Sequence, residues 1–238
     1  MRKLSFAILA SACAWRLLIM STIQADFDRI ALASPDGSLQ NNHYHNFLLK
    51  HLPANCAEVL EIGCGKGEFS RRLAETSGRV LALDLSPEMI RLARASSEGF
   101  SNIDFQIADV SVYDLPPAHF DCIASIATLH HLPIRDVLLK MKAALKPRGV
   151  VLILDLYKPK GPFDAFSNLL AVPMSMSLRL LHHGRLFSRR EARAAWAAHE
   201  AHDIYPTKEE VRALCAEILP GASIKKHLLW RYSIVWAK

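Results

Sequence analysis

The chain has 238 residues, 51% of them apolar and 22% charged, which supports one sizeable α/β domain with its own core and argues against extended disorder. The formal charge of +6 is modest and forms no long basic stripe interleaved with aromatics, so nucleic acid is not an expected partner. Five cysteines (Cys13, Cys56, Cys64, Cys122 and Cys215) are odd in number and never spaced C-x-x-C. That pattern suggests neither a disulfide framework nor a metal site, and it points to a reducing, cytoplasmic setting.

Residues 1–24 read as an extension to the fold. Arg2 and Lys3 precede a mostly apolar run from Leu4 to Met20, in outline a secretory signal. Arg16 interrupts that run, which is short for a membrane span. A translation start at Met20 explains the same pattern. A single domain over residues 25–238 follows.

Within it, apolar runs alternate with amphipathic stretches. Helical spacing over Asn46 to Leu52 leads to Ala57–Ile62 (AEVLEI), a short apolar run ending in glycines that reads as a buried strand. Glu68 to Thr76 places Phe69, Leu73 and Ala74 on one helical face. Arg79–Leu83 (RVLAL) is a second strand, ending on Asp84. Ser86-Pro87-Glu88 then opens a helix: a capping hydroxyl, a proline suited to the first turn and an acid at the positive helix end. Ile103–Ala108 is a third strand, ending on Asp109, and Phe120–Ile126 (FDCIASI) a fourth. A helix over Ile134–Leu145, a turn at Lys146-Pro147-Arg148-Gly149 and a fifth strand at Val150–Leu156 follow. Strands alternating with helices predict a parallel sheet with helices on both faces.

The alternation breaks after Tyr157. Residues 158–205 read as a helical insertion that shapes a substrate pocket or faces a membrane. Phe163, Phe166, Leu169, Leu170, Met174 and Met176 suit an apolar acceptor, a membrane-adjacent surface or plain core packing. The basic stretch Arg179–Arg193 fits a solvated helix face, with an anionic substrate or acidic membrane surface as the other reading. Thr207-Lys208-Glu209-Glu210 is a capping box opening a last helix. Two closing strands, Ala222–Leu229 and Tyr232–Ala237, are joined by so short a turn that they must pair antiparallel.

The chemistry gathers in the segment Glu61-Ile62-Gly63-Cys64-Gly65-Lys66-Gly67, which follows the first strand and opens a helix. Glycines there allow otherwise disfavoured dihedrals and let a ligand approach the backbone, at the strand ends where open α/β sheets bind ligands. The spacing is G-x-G-x-G, not the G-x-G-x-x-G of a dinucleotide site, and Lys66 precedes Gly67, so no P-loop is met. Glu61 offers a carboxylate to the cationic amine of an amino-acid moiety. Asp84, at the second strand end, suits two ribose hydroxyls. Asp109, at the third, suits an adenine amino group.

The glycine loop, Asp84-Leu85-Ser86-Pro87-Glu88-Met89, Ala108-Asp109-Val110 and Leu145-Lys146-Pro147-Arg148-Gly149-Val150 occur together and in one order. In this the chain resembles the class I S-adenosylmethionine-dependent methyltransferases, of the small-molecule type related to the ubiquinone and menaquinone methylases. The resemblance covers about residues 43–156 and the closing strands. It implies a Rossmann-like seven-stranded sheet with an antiparallel last strand, S-adenosylmethionine as cofactor, and in-line methyl transfer to a small-molecule acceptor. It further implies that Gly63, Cys64 and Gly65 pass under the methionine part, and that Asp84 holds the ribose. Leu85 and Met89 would lie against the adenine, Asp109 and Val110 would flank it, and Ser125 and Ile126 would line the sulfonium side. His43 or Tyr44, in an N-terminal segment that covers the cofactor, would touch its carboxylate.

His130, in Leu129-His130-His131-Leu132 after the fourth strand, lies near the expected acceptor. It is a candidate base, or a loop histidine that shapes the pocket. A cofactor-binding relative without methylation activity is an alternative function. A nicotinamide-dependent oxidoreductase is disfavoured by the glycine spacing.

Overall fold

The computed structural model of the protein describes residues 20–33, 39–160, 177, 190–201, 203–228 and 230–238. The apolar insertion residues Phe163 to Met176 and most of Arg179–Arg193 lie outside these, as do residues 1–19 and the side chain of His43. Residues 20–33 are helical (α1). Then come α2 (Leu39–Leu49), β1 (Glu58–Ile62), α3 (Glu68–Ala74), β2 (Arg79–Asp84), α4 (Pro87–Ala95), β3 (Ile103–Ile107) and β4 (Phe120–Ile126). A 3-10 turn at Leu129–His131 precedes α5 (Ile134–Ala144) and β5 (Leu145–Leu156). The chain closes with α6 (Arg190–Glu200), α7 (Lys208–Ile218), β6 (Ser223–Lys226) and β7 (Arg231–Ala237).

The seven strands form one sheet in the order β3-β2-β1-β4-β5-β7-β6. The first five are parallel. β7 runs antiparallel to both β5 and β6, as a strand reached through a tight turn must. Strand periodicity divides the core. Leu60, Ile123, Val151 and Ile153 face α5 and α7, packing on Leu138, Met141 and Ile218. Val59, Cys122, Leu152 and Leu154 face the other way, onto Leu48 of α2, Leu73 of α3 and Ile90 of α4. Successive strand residues point to opposite faces, so a strand covered on both sides reads as a continuous apolar run.

The caps fall where the side chains can supply them. Ser86 Oγ accepts from Met89 N with Pro87 in the first turn, and Thr207 and Glu210 complete a reciprocal capping box. One expectation changes. The turn at Lys146–Gly149 is absorbed into β5: Phe120 pairs with Leu145 and Cys122 with Val150, so the extra residues bulge out of the ladder. Arg148 takes a positive φ of 67° there, and the Lys146 ammonium anchors the bulge to both Asp121 carboxylate oxygens at 3.0 Å. The expected boundary at Gln24 falls inside α1. Ile30 and Ala31 of that helix are buried against Met89 and Ala195.

Candidate functional site

The strand order places the crossover between β1 and β4, and a cavity of about 210 Å³ opens there, beyond the carboxyl ends of β1, β2 and β4. Its floor is the loop after β1. Gly63 N and Cys64 N both donate to Leu83 O, at 2.8 and 3.0 Å, which pins the loop to the end of β2. Gly63 and Gly65 have φ of 75° and 52°, a region that a Cβ disfavours. At Gly63 a Cβ would also lie 2.0 Å from Thr128 Oγ1, whereas Gly65 faces open space. Gly67, the N-cap of α3, packs closely on Phe105 and does not line the cavity.

Three carboxylates reach the cavity from three consecutive strand ends: Glu61, Asp84 and Asp109. Asp84 Oδ2 accepts from Gly65 N at 2.8 Å and Oδ1 from Ser86 N at 2.9 Å. Burial pushes its pKa up, and these two N–H groups oppose that shift. Glu61 is 1% exposed and accepts a 2.5 Å hydrogen bond from Ser70 Oγ. Burial drives its pKa up to about 8; the Ser70 hydroxyl works against this, and the Asp84 charge adds to it. Asp109 Oδ1 accepts from Ser111 N at 2.9 Å. Cys64 is a buried thiol whose pKa is raised well above its ordinary value by burial and then by Asp84 and Glu61; it is neutral and no nucleophile.

Leu85, Met89 and Val110 give the cavity an apolar wall beside Asp84 and Asp109. Ser125 is elsewhere: fully buried, its Oγ donates to Ile62 O at 3.0 Å and ties β4 to β1. Tyr44 is turned away, its hydroxyl donating to Leu228 O at 2.8 Å. From α2, Asn41, Asn42 and His45 line the cavity instead.

The histidine pair divides. His130 N donates to Asp155 Oδ2 at 3.0 Å, and its Nδ1 lies 2.6 Å from Asp155 Oδ1. His131 lines the cavity, with Nδ1 3.3 Å from Asp203 Oδ1. Burial pulls the pKa of His131 down, against the Asp203 hydrogen bond. The two rings lie side by side, centroids 3.9 Å apart, with His131 on the cavity and His130 behind it against Asp155. Sequence reasoning placed both histidines near the acceptor and singled out His130, whereas His131 is the one on the cavity; it missed a roof made by Met20, Ile23 and Phe27 of α1 and Trp196 of α6. Both depend on tertiary placement that leaves no local signal.

Residues 59–149 match a family model described as a methyltransferase domain. That match, the seven-stranded topology and the ordered strand-end carboxylates are those of an S-adenosylmethionine-dependent methyltransferase. Among its relatives, the ubiquinone biosynthesis O-methyltransferase of Xylella fastidiosa is 32% identical over 163 residues, a match spanning 65% of this chain and 64% of that protein, less than two thirds of its length. An uncharacterised methyltransferase of Mycobacterium bovis is 28% identical over 202 residues, covering 82% of this chain and 94% of the relative. Among solved structures, an N-methyltransferase from Bradyrhizobium japonicum in complex with S-adenosyl-L-homocysteine superposes with a TM-score of 0.61. It is 14% identical and covers 92% of this chain and 98% of its own, a likeness of fold.

Proposed function

We propose that the protein transfers a methyl group from S-adenosylmethionine to a small-molecule acceptor. The observation that carries this reading is the convergence of Glu61, Asp84 and Asp109 on one cavity over a left-handed glycine loop. When bound, S-adenosylmethionine supplies a methyl carbon already activated by a sulfonium charge. The protein binds and orients. Glu61, ionised on binding, pairs with the amino group of the methionine part. Asp84, fixed by Gly65 N and Ser86 N, accepts from the ribose hydroxyls. Asp109 accepts from the adenine amine between Leu85, Met89 and Val110. The β1–α3 loop lies under the methionine chain. Holding two reactants in line is worth about 7–11 kcal/mol in the best cases, so positioning alone supplies much of the rate.

The acceptor reading is a hydroxylated small molecule, supported by the named activity of the Xylella relative. Trp196 on the cavity wall supports a role for residues 158–205 in shaping the acceptor pocket of one domain spanning residues 25–238. His130, held by Asp155, positions this wall. A reducing, cytoplasmic setting accords with Cys56, Cys64, Cys122 and Cys215, which are buried free thiols. No helix among the described residues is long and apolar enough to cross a membrane.

Isothermal titration of the purified chain with S-adenosylmethionine and with NAD tests the cofactor. Micromolar binding of the first and none of the second is expected; the reverse overturns the reading. Mass spectrometry of co-purified ligand then addresses the acceptor.

A further inference from the structure

We propose that His130, His131 and Asp203 form a binding site for a divalent transition-metal ion, zinc by preference, in the cavity wall, with a coordination position left for an oxygen donor. One donor atom from each of the three lies within 4.8 Å of the others. The site stands on these residues and not on the identity of the cofactor.

A tetrahedral ion bound at 2.0–2.2 Å separates its ligand atoms by about 3.3–3.5 Å. His131 Nδ1 and Asp203 Oδ1 already lie 3.3 Å apart. The rings of His130 and His131 have centroids 3.9 Å apart, so a modest side-chain rotation brings a nitrogen of each to one ion.

Metal-bound histidines usually give their other ring nitrogen to a carboxylate, which fixes the tautomer. His130 Nδ1 is committed to Asp155 Oδ1 at 2.6 Å, and Asp155 is itself held by the backbone N–H groups of His130 and Leu156. Nε2 is thereby left as the donor. Asp203 is held on its other oxygen: Tyr205 donates to Oδ2 at 2.8 Å, and His199 Nε2 lies 3.7 Å away.

The side chains of His130, His131 and Asp203 are 4%, 7% and 6% exposed. Phe27 packs edge-on against both His131 and His199. Two imidazoles and one carboxylate in a dry shell suit zinc, and three protein ligands leave the fourth position open on the side where His131 meets the cavity.

Chelator-stripped full-length protein is titrated with Zn2+ by calorimetry and with Co2+ by visible absorption. One equivalent of each is expected, with the intense ligand-field bands of four-coordinate Co2+. His131→Ala and Asp203→Asn should lose these bands, and Asp155→Asn should weaken Zn2+ binding about 10–100-fold. Far-UV circular dichroism checks that each variant folds; if His131→Ala does not, the isosteric Asp203→Asn carries the test. No stoichiometric binding, or binding indifferent to Asp203→Asn, overturns the site. S-adenosylmethionine titrated into the same stripped protein separates this failure from failure of the cofactor reading.

Discussion

At the scale of the residue, Glu61 decides how cofactor binding responds to pH. Its carboxyl rises from 4.5 to about 8 on folding, chiefly by burial. Across that interval the folded chain holds a proton that the unfolded chain has released. The contribution of this group to stability is therefore complete below about pH 4.5 and is lost as pH rises through 8. Pairing with the amino group of S-adenosylmethionine needs the carboxylate, so binding releases that proton. Affinity should then fall about tenfold for each pH unit below 8. Above 8 it should fall again, as an amine with pKa near 7.7–8.0 loses its own charge. Glu61→Gln keeps the shape and removes the ionisation. We expect it to bind S-adenosylmethionine about 10–100-fold more weakly at pH 8, a loss of roughly 1.4–2.8 kcal/mol on the scale of a charge-assisted hydrogen bond. We also expect no pH slope between 6 and 7.5, and a higher melting temperature than the parent at pH 9. Calorimetry and thermal scans at those pH values check both parts. A wild-type affinity that is flat with pH would remove Glu61 from the ammonium.

At the scale of the element, the β1–α3 loop and the α1–α4 junction make separate demands. Gly63→Ala meets the left-handed dihedral, about 1–2 kcal/mol, and the collision with Thr128, roughly 1–3 kcal/mol of overpacking. Gly65→Ala meets only the first. Urea denaturation should show Gly63→Ala as the costlier of the two by at least about 1 kcal/mol; equal costs would mean that the loop yields where Thr128 stands. At the other junction, Asp28 of α1 accepts from Ser86 Oγ at 2.5 Å and from Glu88 N at 3.3 Å, so the helix roofing the cavity is tied to the N-terminus of α4. Asp28→Ala leaves a fully buried hydroxyl without its acceptor, at a cost of about 1–3 kcal/mol. It should speed proteolytic cleavage within residues 20–33, read by mass spectrometry. An unchanged cleavage rate would show that apolar contacts of Ile30 and Ala31 alone hold α1. These elements differ in how far the sequence displays them. The glycine loop, the Ser86-Pro87 cap and the Thr207–Glu210 box are local patterns, each determined within a few residues, and the chain shows them openly. The roof from α1 and Trp196 is assembled across some 170 positions of sequence, and nothing in Met20, Ile23 or Phe27 marks them as anything but apolar. The choice between His130 and His131 turns on one residue of phase in a single turn of 3-10 helix.

At the scale of the molecule, the two cores lie back to back on one sheet. Leu60, Ile123 and Ile153 serve one of them, and Val59, Cys122 and Leu152 the other. Neighbouring residues of the same strands carry both, so neither side can lose its packing while the sheet stays intact. The cavity sits at the carboxyl end of those strands, with the β1–α3 loop, the end of β2 and the segment after β4 all in its wall. A ligand seated there ties elements from both faces to the sheet that they share. Binding should therefore raise one cooperative transition and not split it into two. S-adenosylmethionine at 100 times its dissociation constant stabilises the native state by about 2.7 kcal/mol, which for a chain of this size corresponds to roughly 5–10 °C in melting temperature. Differential scanning calorimetry should show that shift as a single endotherm in the parent, much reduced in Gly63→Ala and in Gly65→Ala, whose added Cβ would enter the ligand space. A shift confined to one of two resolved transitions would mean that the faces unfold separately and that the ligand reports on only one. A single transition that moves as a whole would make the shared sheet the route by which the site stabilises both cores.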